Sequence, residues 1–192
     1  KNPKKLAEMK ALFDEEAQKY HVYPLDDRGT ARLLVPKPAP GGSDPNRKHF
    51  TYYAGAVRLA ETAAPNTKNK SHTIAAEIVM PISGGEGVIV AEGGSSAGFA
   101  LYVQGGKLVY EYNWFDEDRY IITSSEPVPA GKSAVRFEFA YDGGEGKGGK
   151  GTIFINSKKV GEGLIEKTVP ARFGIDTFGV GMDTGSPVSN TY

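Results

Sequence analysis

Phe99-Ala-Leu-Tyr-Val103, Gln104-Gly-Gly-Lys107 and Leu108-Val-Tyr-Glu-Tyr-Asn113 read as two strands joined by a tight turn. The adjacent Gly105 and Gly106 supply the positive φ angles that a short hairpin loop requires. The same pattern runs on from Gly98 to Glu166. In 133–141, Val135, Phe137, Phe139 and Tyr141 alternate with Arg136 and Glu138. In 152–156, Ile153 and Ile155 oppose Thr152, Phe154 and Asn156, and Ser157-Lys158 makes the next turn. Working outward, a period of two predicts strands at 50–54, 73–80, 86–92, 98–103, 108–114, 119–125, 133–141, 152–156, 159–165 and 177–182. Many short alternating strands predict a mainly β chain folded as an antiparallel two-sheet β-sandwich. Sandwiches of this kind carry binding surfaces more often than buried catalytic machinery.

One helix precedes them, predicted over residues 3–20. Asn2 is a good N-cap and Pro3 occupies the first helical position, where a missing N–H costs nothing. Leu6, Met9, Phe13, Ala17 and Tyr20 share one face at helical spacing, with the charged residues elsewhere. Pro36, Pro38, Pro40, Gly41, Gly42 and Pro45 then obstruct regular structure. The chain therefore divides into 1–28 (helix and tail), 29–49 (Pro/Gly-rich linker) and 50–192 (sandwich). The glycine- and lysine-rich run 143–151 reads as a flexible loop between strands.

Bulk properties narrow the function. The 192 residues contain no cysteine, which excludes disulfides and thiolate metal sites. Lys plus Arg and Asp plus Glu are 23 each, a balance that argues against nucleic acid or an anionic membrane as the main partner. No apolar run approaches the ~20 residues of a membrane helix. The opening Lys1-Asn-Pro-Lys-Lys5 is neither a signal peptide nor an initiator, so the chain reads as a piece of something longer.

Candidate chemistry centres on Glu111-Tyr-Asn-Trp-Phe-Asp116-Glu-Asp118. Retaining glycosidases need two carboxyl groups ~5–5.5 Å apart, as acids at alternate strand positions provide. The positions alternate to Glu111 are Asn113 and Phe115, so the partner acids are missing and no catalytic residue is assigned. Leu108, Tyr110, Tyr112 and Trp114 form a stripe that packs inside the sandwich or offers stacking faces to sugar rings. Tyr112, Trp114 and Arg119 are accordingly the candidate carbohydrate contacts. His21, His49 and His72 lack metal-ligand spacing. Asp142, Glu145, Asp176 and Asp183 read as turn residues rather than the six to eight oxygens of a calcium site. Asn69-Lys-Ser71 matches a glycosylation sequon.

Several segments carry a family resemblance. Asn2 to Ala17, Tyr20 with Val22-Tyr-Pro-Leu-Asp-Asp-Arg28, Phe50-Thr-Tyr-Tyr53, Asn69-Lys-Ser-His72 and Thr177-Phe-Gly-Val-Gly-Met-Asp-Thr-Gly-Ser-Pro-Val188 resemble the C-terminal region of bacterial arylsulfatases. That resemblance implies a concanavalin A-like or laminin-G-like jelly roll following a separate catalytic domain. It implies calcium and formylglycine in that domain and no cofactor in this fragment, whose principal partner would be the catalytic domain itself. Ser43-Asp-Pro-Asn-Arg47 matches the family's short Cys/Ser-x-Pro-x-Arg signature, and Asp26-Asp27 imitates its calcium-binding aspartates. Both read as coincidental: Ser43 sits in a Pro/Gly linker, and Arg47 leads into Lys-His-Phe instead of a Thr-Gly pair. Relatives continue into a further strand after residue 188, so an unpaired sheet edge is expected. Self-association through that edge, or through the apolar face of the N-terminal helix, is expected with it. The resemblance leaves compartment and parent substrate open.

Overall fold

The computed structural model describes residues 2–23, 25 and 47–192. Ser43, Asp26-Asp27 and all but residues 47–49 of the expected linker lie outside them. The chain forms two compact units, Lys1–Pro38 and Ala39–Tyr192. In the first, helix α1 (Pro3–Lys19) is capped by Asn2, whose Oδ1 accepts from the Lys5 N–H at 3.2 Å. Leu6, Met9, Leu12 and Phe13 are each more than half exposed, and Ala17 is buried. Neither this helix nor any other among the described residues is long and apolar enough to cross a membrane.

The second unit is a two-sheet antiparallel β-sandwich of jelly-roll type. Its strands are β1 (Leu59–Ala60), β2 (His72–Met80), β3 (Gly87–Gly93), β4 (Gly98–Gln104), β5 (Lys107–Trp114), β6 (Asp118–Pro127), β7 (Gly131–Tyr141), β8 (Lys147–Ile155), β9 (Lys158–Lys167) and β10 (Thr177–Val180). A six-stranded sheet runs β1-β10-β3-β4-β5-β6 and a four-stranded sheet β2-β7-β8-β9. The hairpin read from Phe99 to Asn113 forms as expected, Phe99 opposite Tyr112 and Gln104 opposite Lys107, with Gly105 and Gly106 at φ 55° and 73°. Phe99, Leu101, Leu108, Tyr110 and Tyr112 from the larger sheet meet Phe137, Phe139, Ile153 and Ile165 from the smaller one. The Tyr110 and Phe137 rings stack across the interface, 3.5 Å between centroids and 7° from parallel.

Two readings are corrected. Residues 50–54 are irregular. Tyr52 packs its ring 5.0 Å from Phe178, and the pairing with β10 falls to Leu59 and Ala60. Left-handed backbone at Gly55 (φ 91°) and Arg58 (φ 59°) turns the chain before and beside that short strand. The expected loop 143–151 is also shorter, because Lys147 to Gly151 already belong to β8. Its glycines are there for close approach. A Cβ on Gly148 would overlap the Ile165 carbonyl, and one on Gly149 the Ala140 carbonyl. A Cβ on Gly151 would lie 2.5 Å from Ile122 Cδ1 and 2.9 Å from Phe137 Cε2, inside the core.

Gly151→Ala is therefore expected to overpack the sandwich and cost roughly 1–3 kcal/mol. Urea denaturation of the purified chain checks this, and an unchanged midpoint would contradict the packing described.

Candidate functional site

Strand parity separates the expected sugar contacts. Even-numbered residues of β5 point into the sandwich and odd-numbered ones outward. Tyr112 is buried, and its phenol oxygen accepts from the Val169 N–H at 2.8 Å. Trp114 lies at the rim on the same face, with the Lys167 ammonium 3.6 Å above its ring. Asp118 holds that lysine at 2.7 Å, so one indole face is already occupied. Arg119, opposite Asn113 in the ladder, lies on the outer face. Tyr112, Trp114 and Arg119 do not converge on one surface. Beside Trp114, Phe115 is half exposed at the hairpin tip, where it and Asp116 have φ of 52° and 57°.

Arg119 belongs instead to a polar network under the C-terminal segment. It donates to Glu111 Oε1 at 2.8 Å, the Val188 carbonyl at 2.6 Å and Asp116 Oδ1 at 2.7 Å. The Tyr102 hydroxyl donates to Glu111 Oε2 at 2.9 Å and lies near Ser189 and Thr191. Val188 is fully buried against Ala91, Ala100, Tyr102 and Val109. A clasp holds this segment in place. Ser186 Oγ donates to Asp176 Oδ2 at 2.7 Å, and Asp183 Oδ2 accepts from the Val188 N–H at 2.8 Å and the Tyr192 hydroxyl at 2.6 Å. Gly94 and Gly185 leave room for the Asp176 carboxylate, which a Cβ at either position would strike.

A second cluster lies between the sheets. Lys68 is buried with its Nζ 2.5 Å from Glu61, 3.9 Å from Glu92 and 4.0 Å over the Phe173 ring. Glu61 also accepts from the Phe173 N–H at 3.2 Å, tying the β9–β10 connection to the 3₁₀ turn Glu61–Ala63. Glu92 is 1% exposed, and neither of its oxygens has a hydrogen-bond partner among the described residues. Burial pushes its carboxyl up to about 8, against the opposing pull of Lys68. His72, ringed by Phe99, Phe137 and Phe139, is pushed below its ordinary value by burial. It lines a cavity of ≈ 10 Å³ with Lys68, Tyr110 and Tyr112, about the smallest space that holds one water.

The remaining candidates serve as local structure. Asn69 Nδ2 donates to the Pro170 carbonyl at 2.6 Å, and its Oδ1 accepts from the Gly146 N–H at 2.9 Å, so the sequon carboxamide staples three loops. Among the described residues no three His, Asp or Glu side chains group to hold a metal ion. Asp176 and Asp183 serve the C-terminal clasp. The sequence singles out Glu111 and Arg119 but not their pairing, and it singles out neither Lys68 nor Glu92. Glu92 follows Val90 at an inward position and Glu111 follows Val109 at an outward one, so strand parity was the available signal. No family model matches the chain, and no curated protein matches it.

Two outcomes are expected. A carboxyl raised on folding favours the native state fully below its unfolded value of about 4.5 and progressively less as pH climbs through 8. His72 acts in the opposite sense, its contribution being lost as pH falls below about 6.5. Glu92→Gln should leave stability at pH 5 nearly unchanged and raise it by roughly 2–4 kcal/mol at pH 9, read from denaturant titrations at both pH values. Arg119→Ala should cost roughly 3–5 kcal/mol by stranding the Glu111 carboxylate. Limited proteolysis should then cut residues 186–192, which are expected to stay protected in the wild type.

Proposed function

We propose that this chain is a non-catalytic accessory C-terminal region of a bacterial arylsulfatase, which stabilises or shields the catalytic domain or aids its assembly. The resemblance of segments 2–28, 50–53, 69–72 and 177–188 supports the parentage. The observation that carries the non-catalytic role is the placement of Glu92 and Glu111. These two carboxylates are the most deeply buried acids among the described residues, and they lie on opposite faces of one sheet. Acid–base and nucleophilic work by paired carboxylates requires both to flank one substrate in a shared cleft, roughly 5–9.5 Å apart. Glu111 is committed to Arg119 and Tyr102, and Glu92 sits in the core beside Lys68. The parent's calcium and formylglycine belong, on this reading, to the catalytic domain.

A second reading, a lectin-like module for sulfated glycans, draws on the rim beside Trp114. Lys167 over the indole and half-exposed Phe115 place a cation beside aromatic surface, the pairing a sulfated sugar would use. The basic group there is Lys167 rather than Arg119.

The purified chain is expected not to hydrolyse p-nitrophenyl sulfate. The parent protein should lose thermal stability when residues 50–192 are removed, while keeping turnover as long as it stays folded. Turnover by this chain alone that Ser43→Ala abolishes would overturn the accessory role. Retention on a sulfated-glycan affinity gel, lost in Trp114→Ala and Lys167→Ala, would favour the lectin reading instead.

A further inference from the structure

Strand β2 ends the four-stranded sheet and pairs only with β7. The direction of its free backbone groups follows from its neighbour. Ala134 N–H donates to Asn156 Oδ1 at 2.9 Å and its carbonyl accepts from Asn156 N–H at 2.8 Å, so Ala134 faces β8. Tyr141 N–H donates to Ser71 Oγ at 3.0 Å, so odd-numbered residues of β7 face β2. Val135 is opposite Ala76, Phe137 opposite Ile74 and Ser133 opposite Ile78, which makes these the hydrogen-bonded pairs of the ladder. Thr73, Ala75, Glu77 and Val79 therefore turn their N–H and C=O groups away from β7, along an edge that no described strand covers.

That edge carries few of the usual protections, Glu77 being its one carboxylate. It is nine residues long and contains no proline, no bulge and no lysine. Ile74, Ala76 and Ile78 face the core yet remain partly exposed, and Val79 is 71% exposed. A further strand alongside would satisfy the backbone groups and cover the isoleucines in one step.

We propose that the occupant is β2 of a second copy of this chain, paired antiparallel about a twofold axis at Ala76 to make one continuous eight-stranded sheet. The free groups lie on odd-numbered residues, so only registers that place odd residues opposite odd residues are allowed. Centring on Ala76 overlaps all nine residues. It sets Ile74 opposite the partner's Ile78, Thr73 opposite the partner's Val79, and Ala75 opposite the partner's Glu77. Moving the axis to Glu77 would oppose two like charges. Charge favours the Ala76 register as well. Arg136 is opposite Ala75 on β7, so Arg136 of one copy and Glu77 of the other flank the same small alanine, two strand spacings or roughly 9–10 Å apart at the backbone. Both side chains are long enough to meet over that methyl group, and the twofold axis repeats the pair. Glu77 has no ion-pair partner among the described residues, whereas Arg136 lies 2.9 Å from Glu138 on its own strand. This surface is independent of the parent's activity and of the rim at Trp114.

Sedimentation velocity over roughly 5–500 µM tests the pairing. The chain is expected to shift from monomer to dimer as concentration rises. Ala75→Pro removes an N–H that points to the free edge, not to β7, and should leave a monomer with an unchanged circular dichroism spectrum. If that variant fails to fold, Glu77→Arg gives the answer. It faces solvent within one chain and meets the partner's Arg136 across the twofold, so its dimer should be at least about tenfold weaker. A wild type monomeric throughout the range, or a dimer that the folded variants leave unweakened, overturns the proposal.

Discussion

The stacking of Tyr110 on Phe137 is the contact on which the rest of the sandwich depends. One ring comes from an interior strand of each sheet, β5 and β7, and their 3.5 Å separation draws the inner faces together over a single layer of side chains. Phe99 stacks beside Tyr110 and Phe173 closes edge-on against Phe99 and Tyr112, extending the aromatic layer to one end. Aromatic pairs bury much apolar area and prefer particular ring geometries, so this layer constrains sheet spacing and sheet register together. Gly151 follows from the same constraint, since no other residue leaves room beside Phe137.

Given that core, polar side chains on inward positions had to be neutralised or paired. Glu92 shares the inner face with Val90 and lies where the carboxylate form is penalised, with Lys68 as its nearest cation. Glu111, one strand parity away, emerges on the outer face, where Arg119 and Tyr102 meet both oxygens. The segment 186–192 then roofs that pair, with Val188 filling the shallow floor of Ala91 and Ala100. The same sheet thus buries one acid by enclosure and another by ion pairing. Within the acidic stretch 111–118, Glu111 and Asp116 are both committed to Arg119, and Asp118 to Lys167.

Much of the fold was legible in the chain. Alternation is a local property, so the hairpin at Gly105-Gly106, the strands on either side and the helix start at Asn2-Pro3 could be read directly. The aromatic stripe of β5 was legible as a stripe, but its destination was not. Burial of Tyr112 and the capture of Trp114 by Lys167 depend on β9, more than fifty residues away. Residues 147–151 look like a linker because glycine lacks any side-chain signal. In the sandwich they form a strand for the same reason, because the neighbouring carbonyls admit nothing larger. Arg119 looked available beside Trp114 in sequence, yet a one-residue change of parity put it on the other side of the sheet.

By itself the sequence determined most of the element types, the hairpin turn at Gly105-Gly106 and the alternation of side chains along the strands, since these follow from period and turn chemistry within a few residues. Tertiary structure alone decided which acid met which base, that residues 186–192 close the outer face, and that β2 stands at an edge. Those outcomes depend on contacts between segments far apart in the chain, where distance and orientation, rather than residue type, set the energy.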